Sequence, residues 1–287
     1  MAAEHRSTAK RADYIDAHVH VWTPDVEAYP LAAGFRRDQM KPRSFTPEEL
    51  FSHARPAGVA RIVLIQMSYY GFDNRYMLDM MKKHPGTFSG VAVIDDSVAR
   101  PQDEMRRLKE LGVRGFRIYP RDRPVDQWLN SPGMAAMWRY GAMANLAMCH
   151  LVNPDSLSVI DRMCGKFPET PVVIDHFARI GADGKIRDRD VTALCRLARH
   201  KHVQVKISAF YALGKKRPPY LDLVPMIRRL LDAYGPGRLM WASDCPFQVA
   251  HDTYEDSISL IRDRLDFLSA GDRESLLKKT AEKMFFS

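Results

Sequence analysis

Residues 15–20 read IDAHVH, a short and largely apolar run that ends in two histidines spaced i, i+2. Alternate residues of a strand point to the same side of the backbone, so both imidazoles of such a strand leave it together. Two neutral ring nitrogens held on a rigid element provide half of a site for a cation such as Zn²⁺. The segment therefore predicts a first strand with a candidate metal-binding end.

Seven more short β-branched or apolar runs follow, separated by amphipathic stretches with helix-capping residues. Eight strand–helix repeats in 287 residues predict a single-domain α/β fold, the (β/α)8 TIM barrel, because parallel strands need helical crossovers. An open doubly wound sheet is the alternative, which the lack of Gly-x-Gly-x-x-Gly after the first run disfavours. We expect a flexible tail at 1–13 and the barrel at 14–287. The predicted strands are 15–20, 61–67, 89–95, 113–119, 147–152, 172–177, 203–208 and 239–244.

The composition disfavours several classes of partner. Lys and Arg outnumber Asp and Glu by 43 to 35, but the basic residues are scattered, so we expect no nucleic-acid partner. No run approaches the roughly 18 apolar residues of a membrane span, so we expect no membrane partner. The polar segment 1–13 has no export signal, and we expect a cytoplasmic protein unless a signal was removed before this numbering begins. Assembly into a homo-oligomer is left open.

Polar residues interrupt the predicted strands mainly near their C-terminal ends. Parallel barrel strands are buried on both faces, so polar residues in them need a reason. Barrel enzymes build their active sites at the C-terminal face, where four histidines and an aspartate would converge on one mouth. The polar positions are His18, His20, Arg117, Tyr119, His150, Asp175, His176, Lys206, Ser208, Ser243 and Asp244.

These residues resemble the motifs of the amidohydrolase superfamily, in particular its amidohydrolase-2 branch of metal-dependent barrel hydrolases and decarboxylases. The greatest similarity is to the lactonase subgroup, which includes the 2-pyrone-4,6-dicarboxylate and sugar-acid lactonases. The matching segments are IDAHVHVW at 15–22, VRGFRIY at 113–119, VVIDHFAR at 172–179 and MWASDCPF at 240–247. The resemblance implies a (β/α)8 fold and roles for five residues. These are His18 and His20 as metal ligands, His176 on strand six, Asp244 as the essential carboxylate and Arg117 as the residue that holds a substrate carboxylate.

Position 150 departs from part of this subgroup, because the pyrone lactonases carry glutamine on strand five and work without metal. We align His150 with that position, as in related zinc-dependent decarboxylases. The resemblance then implies one divalent ion, Zn²⁺ or else Mn²⁺, with His176 beside it. A second ion is not expected, because strand four has no bridging lysine. The implied ligands are His18, His20, His150 and Asp244.

The predicted reaction is hydrolysis of a lactone in a small anionic substrate that bears a carboxylate. Asp244 would act as general base on a metal-activated water, and His176 would stabilise the developing oxyanion. Arg117 would bind the carboxylate, and the pocket would also be lined by Tyr119, Arg179 and Tyr211. One alternative is non-oxidative decarboxylation of an aromatic or muconate-type acid on the same site. A binding protein without turnover is the other, which the intact set of polar strand ends disfavours.

Overall fold

The computed structural model describes residues 12–121 and 124–287, which contain an eight-stranded parallel sheet paired in chain order. A parallel bridge between Val19 and Cys245 brings the end of the sheet back to its first strand. The prediction of a (β/α)8 barrel is therefore confirmed, and the open-sheet alternative is wrong. The strands are β1 Tyr14–Val19, β2 Val59–Ile65, β3 Phe88–Ala92, β4 Val113–Ile118, β5 Ala147–His150, β6 Val172–Ile174, β7 Val203–Ile207 and β8 Leu239–Trp241.

Helices connect the strands, and four of the described α-helices begin at a residue whose side chain caps them. Thr46 caps α1 through a reciprocal pair of hydrogen bonds with Glu49, and Ser131 accepts a hydrogen bond from the first turn of α4. The second residue of α4 has to be glycine, because a Cβ at Gly133 would lie 1.8 Å from the carbonyl oxygen of Asp96. The α-helices are α1 Pro47–Ala54, α2 Arg75–Lys83, α3 Pro101–Glu110, α4 Pro132–Ala144, α5 Leu157–Lys166, α6 Asp188–Arg196, α7 Val224–Tyr234, α8 Phe247–His251, α9 Tyr254–Ser259, α10 Ala270–Glu274 and α11 Thr280–Phe285.

Two apolar layers hold the barrel together. The outer layer lies between strands and helices, and the inner layer fills the barrel. The last helix, α11, closes the N-terminal end of the barrel, since Phe285 joins the inner layer and Thr280 bonds to the carbonyl of Pro236, just ahead of β8. The inner layer consists of Ile15, Ala17, Val63, Ile65, Val91, Ala147, Cys149, Val173, Met240, Ala242, Ala281, Met284 and Phe285.

Several strands are shorter than the sequence predicts. The predicted strand at 172–177 ends at Ile174, and the one at 239–244 ends at Trp241. Asp175, His176 and Asp244 therefore lie in the turns that follow the strands. These turns use left-handed backbone conformations, with φ of 52° at His176 and 64° at Asp244, which periodicity does not reveal.

The predicted N-terminal tail falls largely outside the described residues. Its last residue, Asp13, forms an ion pair with Lys278 just ahead of α11. In the part of the chain that the structure describes, no helix is long and apolar enough to cross a membrane.

Candidate active site

A bulge in β1 turns His18, and His20 directly after the strand, into the barrel. Between Asp16 and Val19 this strand advances three residues while β2 advances two, from Ile62 to Leu64. Ile15 and Ala17 face the interior before the bulge, whereas His18 faces it afterwards. Bulges re-aim side chains in this way beside many active sites. Simple alternation would have placed His18 on the opposite face from Ala17.

His20 has a defined tautomer. Its Nδ1 lies 2.9 Å from the carbonyl oxygen of Ile65, so this nitrogen must donate a proton. Nε2 therefore carries the lone pair of the ring, and it can accept a hydrogen bond or bind a metal. That atom lies 3.3 Å from Nε2 of His18 and 3.7 Å from Oδ1 of Asp244. Burial lowers the pKa of His20 well below 6.5, so the ring is neutral at pH 7.

A buried ion pair lies behind His18. Its Nδ1 is 3.2 Å from Nζ of Lys206 and 3.4 Å from Oδ1 of Asp175, which are themselves 3.0 Å apart. All three side chains are fully buried. Burial alone would raise the pKa of Asp175, but the ammonium of Lys206 and the ring of His18 hold this pKa well below 3.8. Nδ1 of His18 therefore lies between a donor, the ammonium of Lys206, and an acceptor, the carboxylate of Asp175. A hydrogen bond from an Nδ1–H to Asp175 would leave the lone pair of Nε2 exposed to the site.

His176 is presented by a left-handed turn after β6. Its φ is 52°, and Phe177 and Ala178 continue at 53°. Consecutive residues other than glycine in this region are strained and persist where surrounding packing fixes them. Nδ1 of His176 lies 2.7 Å from the hydroxyl oxygen of Ser208, and Nε2 lies 3.7 Å from Oδ1 of Asp244.

Asp244 is the point on which the histidines converge. Its backbone N–H donates to the carbonyl of His18 at 3.0 Å, and its Oδ2 accepts from the hydroxyl of Tyr211 at 2.8 Å. The other oxygen, Oδ1, lies 3.5 Å from Nε2 of His18 and 3.7 Å from Nε2 of both His20 and His176. Burial raises the pKa of Asp244.

His150 does not join this group, and its predicted role as a ligand is corrected by the structure. β5 pairs with β4 in regular register, and Ala147 and Cys149 point into the barrel. His150 consequently points outward, where its ring centroid lies 5.7 Å from that of Trp128 and 5.5 Å from that of Trp138. Burial lowers its pKa to about 3, as expected of a ring among apolar groups.

The predicted substrate-binding residues line two adjoining parts of the mouth. A cavity of about 580 Å³ is bordered by Arg117, Arg179 and Tyr211 together with His176 and Asp244. A smaller cavity of about 250 Å³ contains Tyr119 and shares Arg117 with the first. Nη1 of Arg117 lies 3.3 Å from Nε2 of His20, which places the guanidinium beside the histidines. Tyr211 differs from expectation in being bonded to Asp244 rather than only lining the pocket.

Lys206, Asp175 and Ser208 are recognisable in the sequence as polar strand residues, but the sequence pattern assigns them no role in the site. A lysine in an otherwise apolar barrel strand could have indicated a buried ion pair, since a buried ammonium requires a charged partner. The bulge in β1 is not visible in the sequence, because polar and apolar residues alternate in this segment as they do in an ordinary strand. Asp16, which bonds to the bulge, was therefore also missed.

The donor atoms fit a divalent metal. Ligand atoms of His18, His176 and Asp244 lie within 4.8 Å of one another, so that they could hold an ion. The spacings of 3.3–3.7 Å that join His18, His20 and Asp244 are close to the roughly 3.3 Å between ligands of a tetrahedral ion bound at about 2.0–2.1 Å. Two or three neutral imidazole nitrogens and a carboxylate oxygen are also the donor types that zinc takes.

Comparison with known proteins gives the same family as the motifs. The amidohydrolase-2 family model matches residues 15–286. An L-fucono-1,5-lactonase of Burkholderia ambifaria is 28% identical over 241 residues, covering 81% of this chain and 80% of that protein. A 2-pyrone-4,6-dicarboxylate hydrolase of Comamonas testosteroni is 28% identical over 261 residues, covering 87% and 82%.

The fold is shared with an amidohydrolase from Burkholderia multivorans that was solved with bound zinc. The two chains superpose with a TM-score of 0.81 at 23% identity, over 96% of this chain and 99% of the other. The resemblance inferred from the motifs and the prediction of an enzyme are confirmed, since the similar proteins are lactone hydrolases. The chain belongs to the amidohydrolase-2 family.

Proposed function

We propose that this protein is a metal-dependent lactonase that opens the ring of a small, carboxylate-bearing lactone. The observation that carries the proposal is the convergence of three histidine Nε2 atoms on Oδ1 of Asp244, within 3.5–3.7 Å, beside a cavity that contains Arg117. Lactone hydrolysis is also the reaction named for the similar proteins from Burkholderia ambifaria and Comamonas testosteroni.

We assign the metal ligands to His18, His20 and Asp244, with His176 beside them. Zn²⁺ is the preferred ion and Mn²⁺ the alternative, because nitrogen donors suit zinc while a carboxylate suits either. A divalent ion held by these residues would polarise the lactone carbonyl and make a water molecule easier to deprotonate.

Asp244 is the residue placed to move protons. The hydroxyl of Tyr211 occupies Oδ2, so Oδ1 is the atom that faces the reacting groups. In the forward direction Asp244 accepts a proton from water while the water oxygen bonds to the carbonyl carbon. The ring C–O bond then breaks, and Asp244 returns the proton to the leaving oxygen.

His176 and Arg117 bind the two ends of the substrate in this proposal. Nδ1 of His176 is held by Ser208, which aims Nε2 toward the oxyanion that develops on the carbonyl. Arg117 borders both cavities and lies partly buried, where a guanidinium binds a carboxylate through paired hydrogen bonds. Tyr119 borders the smaller cavity and Arg179 the larger one, where they would limit the size and charge of the substrate.

The test is turnover of a lactone panel before and after chelation. The panel should contain carboxylate-bearing lactones, their methyl esters and neutral lactones, with aromatic and muconate-type acids added to detect decarboxylation. We expect one equivalent of divalent metal, hydrolysis of the acidic lactones, loss of activity with EDTA, and recovery with Zn²⁺ or Mn²⁺. Release of CO₂ from the acids without lactone hydrolysis would show decarboxylation instead. Full activity after removal of all metal would overturn the metal assignment.

A further inference from the structure

The bulge in β1 is held by a buried carboxylate that does not line either cavity of the mouth. Asp16 is fully buried, and its Oδ1 accepts hydrogen bonds from two backbone N–H groups, that of His18 at 3.1 Å and that of Ser243 at 2.9 Å. Its Oδ2 accepts a third hydrogen bond from the hydroxyl of Tyr254 at 2.7 Å. Oδ1 therefore contacts β1 and the segment after β8 at the same time.

These two segments carry the assigned metal ligands. His18 lies at the bulge, and Ser243 immediately precedes Asp244. A second contact between them, from the N–H of Asp244 to the carbonyl of His18, spans 3.0 Å. Together the two contacts fix the distance of 3.5 Å between Nε2 of His18 and Oδ1 of Asp244.

Without this carboxylate, the hydrogen bonds that stabilise the bulge would be lost. Two buried N–H groups would have no acceptor, which is unfavourable away from water. Pairing β1 with β2 without the extra residue is the available alternative. A shift of one residue moves every following side chain to the other face of a strand. His18 would then point outward, as His150 does on β5.

We propose that Asp16 is a positioning residue of the active site, which sets the register that brings His18 and His20 to Asp244. The readout of metal affinity rests on the proposed function, whereas the register itself does not. Residues that orient metal ligands through a hydrogen bond change metal affinity by about 10–100-fold when they are replaced.

The experiment compares Asp16→Leu, Asp16→Asn and Tyr254→Phe. Leucine matches the shape of aspartate and accepts no hydrogen bond, whereas the oxygen of asparagine can still accept from both N–H groups. Tyr254→Phe is the matched control, because it removes only the contact to Oδ2. Zn²⁺ affinity is measured by competition with a chromophoric chelator, ligand geometry from the absorption spectrum of the Co²⁺ form, and stability by urea unfolding.

We expect Asp16→Leu to weaken Zn²⁺ binding by about 10–100-fold and to change the Co²⁺ spectrum. Asp16→Asn should bind Zn²⁺ nearly as wild type does, and Tyr254→Phe should lose stability without losing affinity. If Asp16→Leu does not fold, Asp16→Glu replaces it, because the longer side chain displaces the acceptor, and the same weakening is expected. Unchanged Zn²⁺ affinity in the substituted protein would overturn the proposal, as would equal weakening in Tyr254→Phe.

A wild-type protein that binds no divalent metal would contradict the proposed function but not this inference. The crystal structure of Asp16→Leu then decides. A β1 without its bulge, with His18 moved away from Asp244, supports the role of Asp16. An unchanged spacing between His18 and Asp244 overturns it.

Discussion

The ends of β1 and β5 each carry a buried histidine, yet only one of them reaches the active site. His18 and His150 are both fully buried. β1 has an extra residue between Asp16 and Val19, and His18 faces Asp244. β5 pairs regularly with β4, and His150 faces the helix layer between Trp128 and Trp138.

The difference shows that register, rather than residue type or burial, decides which histidine can bind a ligand. In the pairing of β4 with β5, Arg117 lies opposite Cys149, and both point toward the barrel interior. His150 is one residue farther along and therefore on the opposite face. A histidine at position 149, unlike His150, would point toward the barrel interior.

The largest expected effect is that of Asp244→Asn, which removes the base on which the β1 histidines converge. Asparagine has nearly the same shape but cannot accept a proton from water, so kcat should fall by about 10²–10⁴-fold. The measurement is steady-state kinetics on the best lactone, with circular dichroism to confirm folding. Retention of more than about a tenth of the wild-type kcat would mean that Asp244 is not the general base.

A pair of substitutions tests the two histidines directly. His18→Leu should lose bound metal and more than about 100-fold in kcat/KM, beyond the 10–100-fold typical of residues that only orient ligands. His150→Leu should keep both, because the described residues give neither ring nitrogen of His150 a hydrogen-bond partner. Its stability should be unchanged or higher, since a buried polar group without a partner is unfavourable. Loss of metal in His150→Leu would reverse the assignment.

The ion pair behind His18 is tested by its effect on stability. Lys206→Met leaves Asp175 as an uncompensated buried carboxylate and should lower the free energy of unfolding by about 3–5 kcal/mol. The double substitution Lys206→Met with Asp175→Leu should be less destabilised than the single one, because it removes both charges. Urea unfolding of the three proteins measures this. If the double variant is destabilised as much or more, then Lys206 and Asp175 stabilise the fold by more than the neutralisation of each other's charge.

The smallest effect concerns the substrate rather than the histidines. Arg117→Met should raise KM for a carboxylate-bearing lactone by about 10–150-fold, the equivalent of a charge-assisted hydrogen bond of about 1.5–3 kcal/mol. The KM for the methyl ester of the same lactone should change much less, because the ester has no carboxylate for Arg117 to bind. Kinetics on the acid and the ester provide the comparison. Equal changes in KM would assign Arg117 to holding His20, from which it lies 3.3 Å.

Hydrophobic periodicity and helix-capping residues were sufficient to predict the barrel, because the eight apolar strands and the helices between them follow directly from burial and hydrogen bonding. The positions of Asp244 and His176 were predictable as polar groups at strand ends, and the structure brings them together with His18 and His20. The β1 bulge and the left-handed turn at His176 were not, because both depend on contacts between distant segments. For the same reason counting along β5 placed His150 on the wrong face.

We propose that one divalent ion is held at Asp244 by His18 and His20. Anomalous diffraction at the zinc edge, from crystals of protein reconstituted with one equivalent of Zn²⁺, tests it most directly. We predict a single peak at about 2.0–2.2 Å from Nε2 of His18, Nε2 of His20 and an oxygen of Asp244. A peak beside His150, or no peak at Asp244 in fully active protein, would contradict this assignment of the ligands.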